Sequence, residues 1–222
     1  MPLRGGSPPQ QQGRRNHVRI RHTGALVHNA RSCRYSRGWR KNASLGELAS
    51  DLASAGVAIP AGFALTASLY REALTFAGAW PKLHALLDHL DVSNVAELAQ
   101  AAEAARVIVY EATGTARLRD LIAEAYAQLV AEYGSSVPVA VRSSATAEDM
   151  PTASFAGQHE SFLNITGLDD VVEACRRCFA SLFTDRAIVY RANNGFDHFK
   201  VALSVGVMKM VRSDCAASCA GD

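Results

Sequence analysis

No apolar run in this 222-residue chain approaches the ~18 residues that a bilayer-crossing helix requires, so no transmembrane helix is expected. Acidic residues are missing from the first 41 positions, which hold ten of the 23 Lys and Arg. The remainder carries 13 basic against 21 acidic residues, a net of −8 that the formal total of +2 conceals. Three common signatures are also absent. There is no G-x-x-x-x-G-K-[ST], no G-x-G-x-x-G and no H-E-x-x-H, which sets aside Walker-type, dinucleotide-fingerprint and zincin sites. Five cysteines with no signal peptide before them do not suggest a disulfide framework. Reduced thiols in a cytoplasmic protein are expected.

What the chain does contain is a 49% hydrophobic composition, enough for one globular domain with room for two lobes. Residues 1–37 combine Gly, Pro, Gln, Arg and His with few apolar residues and no clear period, which predicts a disordered basic arm. Residues 38–136 read as a mostly helical N-terminal lobe. Ser44-x-x-Glu47 is a capping-box candidate, Leu45, Leu48, Ala49 and Leu52 form a stripe, and Gly56 can close that helix. Lys41 then stands at a helix N-terminus, where free N–H groups favour an anion. Val57 to Leu65 reads as extended. Helices are expected at about 67–77, 82–90, 94–112 and 116–133, the last ended by Gly134. His84 and His89 read as surface or boundary residues.

Residues 137–222 carry the chemistry. Val137-Pro138-Val139-Ala140-Val141 alternates as a short buried strand, delivers Arg142 at its end, and yields to small or polar residues across 143–157. Ser143, Ser144, Ala145, Thr146, Ala147, Ser154, Ala156 and Gly157 leave backbone N–H groups open to a bulky anion. A second strand is expected from Glu160 to Ile165. Composition alone leaves two readings of this stretch: an ordinary surface loop between two strands, or a lid over a polyphosphate. Helices follow at Leu168–Phe183 and Asp185–Ala192, then a turn at Asn193-Asn194-Gly195, then a core strand within Lys200 to Val211. Cys175-x-x-Cys178 with Cys215-x-x-x-Cys219 invites a zinc reading. Leu168, Val172, Cys175, Phe179 and Leu182 share one helical face, however, which makes Cys175 a small core residue. Glu148-Asp149 before Met150-Pro151 reads as a turn, with contact to metal or phosphate-bound water as the alternative.

VRSSATAEDMP, SFAGQHESFLN, CFASLFTDRAIVYRANNGFDH and VALSVGVMKMVRSD resemble the N-terminal nucleotide-binding domain of the phosphoenolpyruvate synthase (pyruvate, water dikinase) family. The resemblance runs in one register from about Lys41 to about Ser218 and is most specific from Val139 onward. It implies an α+β fold, ATP-grasp-like and incomplete in this chain, that binds ATP with Mg2+. It implies phosphate contacts from Lys41, Arg142, Ser143, Thr146, Gly157 and Gln158, and an adenine pocket lined by Met208, Met210 and Val211. Where the family usually carries Gln, this chain has Met208. Where the family has a Gly-Gly-Lys turn, it has Gly38-Trp39-Arg40-Lys41.

In that family a phosphohistidine on another domain passes phosphate to pyruvate, yielding phosphoenolpyruvate, AMP and phosphate, and the enzymes are commonly homodimers. The resemblance places the acidic magnesium ligands, the histidine domain and the pyruvate barrel beyond residue 222. No catalytic or metal-ligating residue is therefore expected here, and the chain reads as a fragment or mispredicted product that binds nucleotide weakly without turnover. A pseudo-enzyme is a related reading. The rifampicin phosphotransferase family shares VRSSATAED and FAGQ and is the alternative acceptor class. A nucleic-acid-binding module using Arg14, Arg15, Arg19 and Arg21 is the alternative of another kind, opposed by the acidic body. The arm itself could equally be an organellar transit peptide, or translated sequence foreign to the domain, and the missing Gly-Gly turn favours the last.

Overall fold

The computed structural model describes Val27–Asn29 and residues 60–145 and 160–211. Among these, five strands form one antiparallel sheet and six α-helices surround it. The strands are β1 (Val27–Asn29), β2 (Gly62–Leu65), β3 (Val139–Ala145), β4 (Ser161–Ile165) and β5 (Leu203–Lys209). The helices are α1 (Ala67–Phe76), α2 (Ala79–Leu87), α3 (Val95–Ala112), α4 (Ala116–Tyr133), α5 (Leu168–Ala180) and α6 (Asp185–Asn193). A 3-10 turn, Ser181–Phe183, joins the last two. Strand order is β1-β2-β5-β3-β4, so the last strand in sequence lies at the centre.

Helix starts follow local chemistry. Thr66, Asn94, Thr115 and Thr184 each accept a backbone N–H from the first turn of α1, α3, α4 and α6. Each such cap is worth about 1 kcal/mol. Gly134, at φ 94°, ends α4. α2 begins three residues before the position expected from sequence because Gly78 takes a left-handed φ of 60° and Pro81 is harmless in a first turn. None of the described helices is long and apolar enough to cross a membrane.

Period-two alternation decides which sheet face is covered. Phe63, Leu65, Val139, Val141, Leu203, Val205 and Val207 are all buried and stand on one face by register. α5 packs across β3, β4 and β5 on that side, contributing Val171, Cys175, Cys178 and Phe179 to the core. Cys175 is fully buried, as its place on the apolar stripe predicts. Tyr126 ties the layers together. Its hydroxyl donates to the Val137 carbonyl at 3.3 Å and accepts the Gly167 N–H at 3.1 Å, linking α4 to the entrances of β3 and α5.

Of residues 1–37, where composition predicts disorder, the described part is Val27–Asn29, which pairs with β2 as an edge strand; the rest lies outside the described residues. Three residues are too few to show a period, and pairing through backbone needs none. One expectation is corrected. The sequence ends the first core strand at Arg142, whereas β3 runs on to Ala145 with Ser143, Ser144 and Ala145 paired to Val205, Ser204 and Leu203. The sheet joins residues from both sides of position 137, since β1 and β2 come before it and the other strands after.

Two outcomes follow for stability. A Cβ added at Gly62 would stand 2.4 Å from the Val207 carbonyl oxygen, so Gly62→Ala must push β2 from β5. It should cost about 1–3 kcal/mol, seen as a lower urea midpoint at unchanged m. The second concerns His198, whose Nδ1 accepts from Arg191 Nε at 3.0 Å. Burial, then the Arg191 charge, push its pKa down from 6.5 to about 4. The unfolded chain therefore binds the proton first. The stability linked to neutral His198 is complete above pH about 6.5 and is lost as pH falls through about 4. Thermal melts should show this fall, and His198→Asn should flatten it.

Candidate nucleotide-binding face

The second face of the sheet is built from small residues around one cation and one thioether. β3 and β5 pair Arg142 with Gly206 and Ala140 with Met208. β2 and β5 pair Ala64 with Gly206 and Gly62 with Met208. Arg142 also stands opposite Ser161 of β4. Cross-strand partners share a face, so Arg142 and Met208 project from the side opposite to Val141 and Val207. Their neighbours there are Gly62, Ala64, Ala140, Gly206 and Ser161, none of them large.

Arg142 is exposed, and among the described residues no carboxylate pairs with it. Gly206 offers no side chain to lean against it. None of the described residues engages the guanidinium, a group able to fork onto a planar or tetrahedral oxyanion. Met208 is half-buried, one residue pair along the same face. Its Cγ lies 3.2 Å from where a Gly62 Cβ would stand, so the thioether rests in the groove that glycine leaves. A polarizable apolar group beside an unpaired cation suits a ligand with a flat ring at one end and negative charge at the other.

The remaining sequence-derived positions divide in three. Ser143 follows Arg142 in the strand and so faces the other way, where its hydroxyl meets the Cys178 thiol of α5. That thiol donates to the Glu160 carbonyl at 3.6 Å. Burial, then the Glu160 charge, push its pKa up to about 12, while the Ser143 hydroxyl works in the opposite sense. Arg142 and Ser143 therefore do not present their side chains to one ligand. Met210 lies past the end of β5 with its N–H donated to the Pro138 carbonyl at 2.9 Å, and Val211 beyond it is exposed. Lys41, Thr146, Gly157 and Gln158 lie outside the described residues, as do Glu148 and Asp149.

Sequence reasoning missed the floor of the face. Gly62, Ala64 and Ala140 carry no chemistry of their own, and only the strand register reveals that they flank Arg142 and Met208. Their signal was smallness at alternate positions, which has no meaning until the partner strand is known. Arg191 was also missed. It is fully buried in the core rather than solvated on its helix, donating Nη1 to the Leu182 carbonyl at 2.7 Å.

Comparison with known proteins gives this face its context. Residues 40–221 match the model of the pyruvate phosphate dikinase AMP/ATP-binding domain. The chain is 53% identical over 183 residues to a phosphoenolpyruvate synthase of Synechocystis, covering 80% of this chain and 22% of that protein. It is 56% identical over 174 residues to one of Pseudomonas aeruginosa, covering 78% and 22% respectively. A probable phosphoenolpyruvate synthase of Methanocaldococcus jannaschii is 46% identical over 177 residues, 79% of this chain and 15% of that protein. The chain spans about a fifth of the length of the first two relatives. With the family model matched over most of its residues, the chain belongs to the pyruvate phosphate dikinase AMP/ATP-binding domain family.

Proposed function

We propose that the small-residue face of the sheet binds Mg·ATP as the nucleotide-binding part of a phosphoenolpyruvate synthase, with Arg142 on the phosphates and Met208 under the adenine. The observation that carries this reading is the exposed guanidinium opposite Gly206, without a carboxylate partner among the described residues, on a strand whose other face is locked in the core. An ATP tail carries three to four negative charges, and holding it requires fixed positive charge and oriented donors. Protein work in phosphoryl transfer is chiefly positioning and neutralisation, with magnesium bridging the phosphates. Arg142 meets the first need because its strand is paired on both sides, to β4 and β5. Lys41, Thr146, Gly157 and Gln158 are assigned to the same phosphates by their place in the family motif. Ser143 is assigned only a backbone role, since its hydroxyl is turned to Cys178.

Met208 and Arg142 lie on adjacent strands in diagonal positions, roughly 7 Å apart at Cα. From there the arginine side chain can extend along the ligand while the base stays over Met208, Gly62 and Ala140. Met210 and Val211 continue the base-side wall. The overall reaction assigned is ATP, pyruvate and water giving phosphoenolpyruvate, AMP and phosphate. The histidine that relays phosphate and the pyruvate site are assigned to segments that the longer relatives carry and this chain does not span. The name those relatives share favours pyruvate over an antibiotic acceptor. A cytoplasmic setting fits this metabolism.

Two substitutions separate the two halves of the site. Arg142→Ala removes charge-assisted bonds worth about 1.5–3 kcal/mol, so the Kd for Mg·ATP should rise about 10- to 100-fold in calorimetry. Tripolyphosphate should weaken equally, and unchanged affinity for both ligands would remove Arg142 from its role. Met208→Ala should weaken ATP by about fivefold, equivalent to about 1 kcal/mol of lost apolar contact, and leave tripolyphosphate untouched. Equal losses for both ligands would place the base elsewhere.

A further inference from the structure

α5 runs back beneath the strand that precedes it, and its far end meets that strand's beginning. Gly167, at φ 88°, turns the chain between them. The 13 residues of α5 then rise about 20 Å, against about 17 Å for the five of β4. Cys178, near the C-terminal end of α5, is thereby returned to the level of Glu160, the residue before β4. Its thiol, fully buried, donates to the Glu160 carbonyl at 3.6 Å, a contact across 18 positions of sequence.

That carbonyl stands where the ladder runs out. Among the described residues, Arg142 with Ser161 is the last pair at this end of β3 and β4, and β4 is the outermost strand of the sheet. The end of an edge strand is where a sheet opens at least cost. Were β4 to fray from Ser161, the Arg142 backbone would keep only its pairing to β5. The thiol holds the chain one residue past the last pair, where no ladder pair does so. Ser143, the residue after Arg142, brings its hydroxyl to the same thiol from β3. Burial, then the Glu160 charge, push the thiol pKa up to about 12, so at neutral pH it stays a donor.

We propose that Cys178 is a positioning residue for the phosphate contact: by holding the Glu160 carbonyl it pins the start of β4 to the sheet and so steadies the strand that carries Arg142. The inference rests on the nucleotide reading of the open face and goes beyond it, since Cys178 lies in the core on the opposite side and touches no ligand. It acts only through the β3–β4 pair. The S–H donor is what the role requires, because an apolar side chain of equal size would fill the same space without holding the carbonyl.

Cys178→Val and Cys178→Ala both delete the donor, and Val nearly conserves the volume. Calorimetry on the full chain should show the Kd for tripolyphosphate and for Mg·ATP raised about two- to fivefold in each variant. In an Arg142→Ala background the same substitutions should add nothing, because the residue through which they act is gone. A Val variant that binds like wild type overturns the proposal by making volume the cause. An equal loss in both backgrounds overturns it as well, since the effect then bypasses Arg142. Wild type that binds neither ligand defeats the nucleotide reading and this inference with it, whereas wild type that binds and variants that match it defeat this inference alone. Amide hydrogen exchange reads the clamp without any ligand. Exchange in the variants should quicken across Ser161–Ile165 and stay unchanged in β2, and a uniform rise through the sheet would refute a local hold.

Discussion

The register between β3 and β5 is the constraint on which the rest of the molecule depends. These strands pair over Val139 to Ala145 against Lys209 to Leu203, at the middle of the sheet. Sliding either by one residue would exchange its two faces. Val141 and Val207 would leave the core, and Arg142 would enter it with no carboxylate to meet it. Such a burial costs several kcal/mol even after relaxation. The apolar residues and the arginine therefore specify the same register from opposite sides, and the proposed site would be a by-product of the pairing that makes the core.

The two arginines, 142 and 191, show what placement does to one side chain. Arg191 is surrounded by the core, yet two of its nitrogens are bonded and its charge lies over the Phe183 ring. It acts as a rivet between a 3-10 turn, a helix and the segment that leads into β5. Arg142 has no such hold on its head group but has a fixed base. Its backbone is hydrogen-bonded within the sheet, and its neighbour Ser143 is tied to Cys178 of α5. The first arginine loses its freedom to stabilise the fold, and the second keeps an exposed tip, which is what the proposed role asks of it.

Much of this was readable beforehand, and the exceptions have physical causes. The 95–112 and 116–133 helices fall within a residue of expectation, the second closed at Gly134 as its sequence predicts. The end of β3 did not announce itself because Arg-Ser-Ser breaks the apolar alternation, while hydrogen bonding to β5 ignores side-chain polarity. β1 is too short to have a pattern. The family motif pointed to Arg142 and Ser143 together, but neighbours in a strand face opposite ways, and only knowledge that the strand continues shows that one of them serves the core. Nothing in the sequence singled out Arg191. Its burial depends on α6 being enclosed by the 3-10 turn, α3 and the segment before β5, a tertiary fact without a local trace.

A strand is a better mount than a loop for a phosphate-binding cation. A loop arginine must give up backbone freedom, about 1–2 kcal/mol per residue fixed, when its ligand arrives. Arg142 has already lost that freedom on folding, because β4 and β5 flank it and α5 lies beneath its strand. Only side-chain rotamers would remain to be ordered on the proposed binding, so more of the charge-assisted bond energy would be available to hold a ligand. The glycine opposite completes the arrangement. A larger residue at 206 would give the guanidinium something to rest on, which would lower the free state and weaken the proposed binding. In the proposed site, the missing side chain of Gly206 and the lack of a carboxylate partner for Arg142 among the described residues would serve one end: the cation is positioned and held ready for an anion.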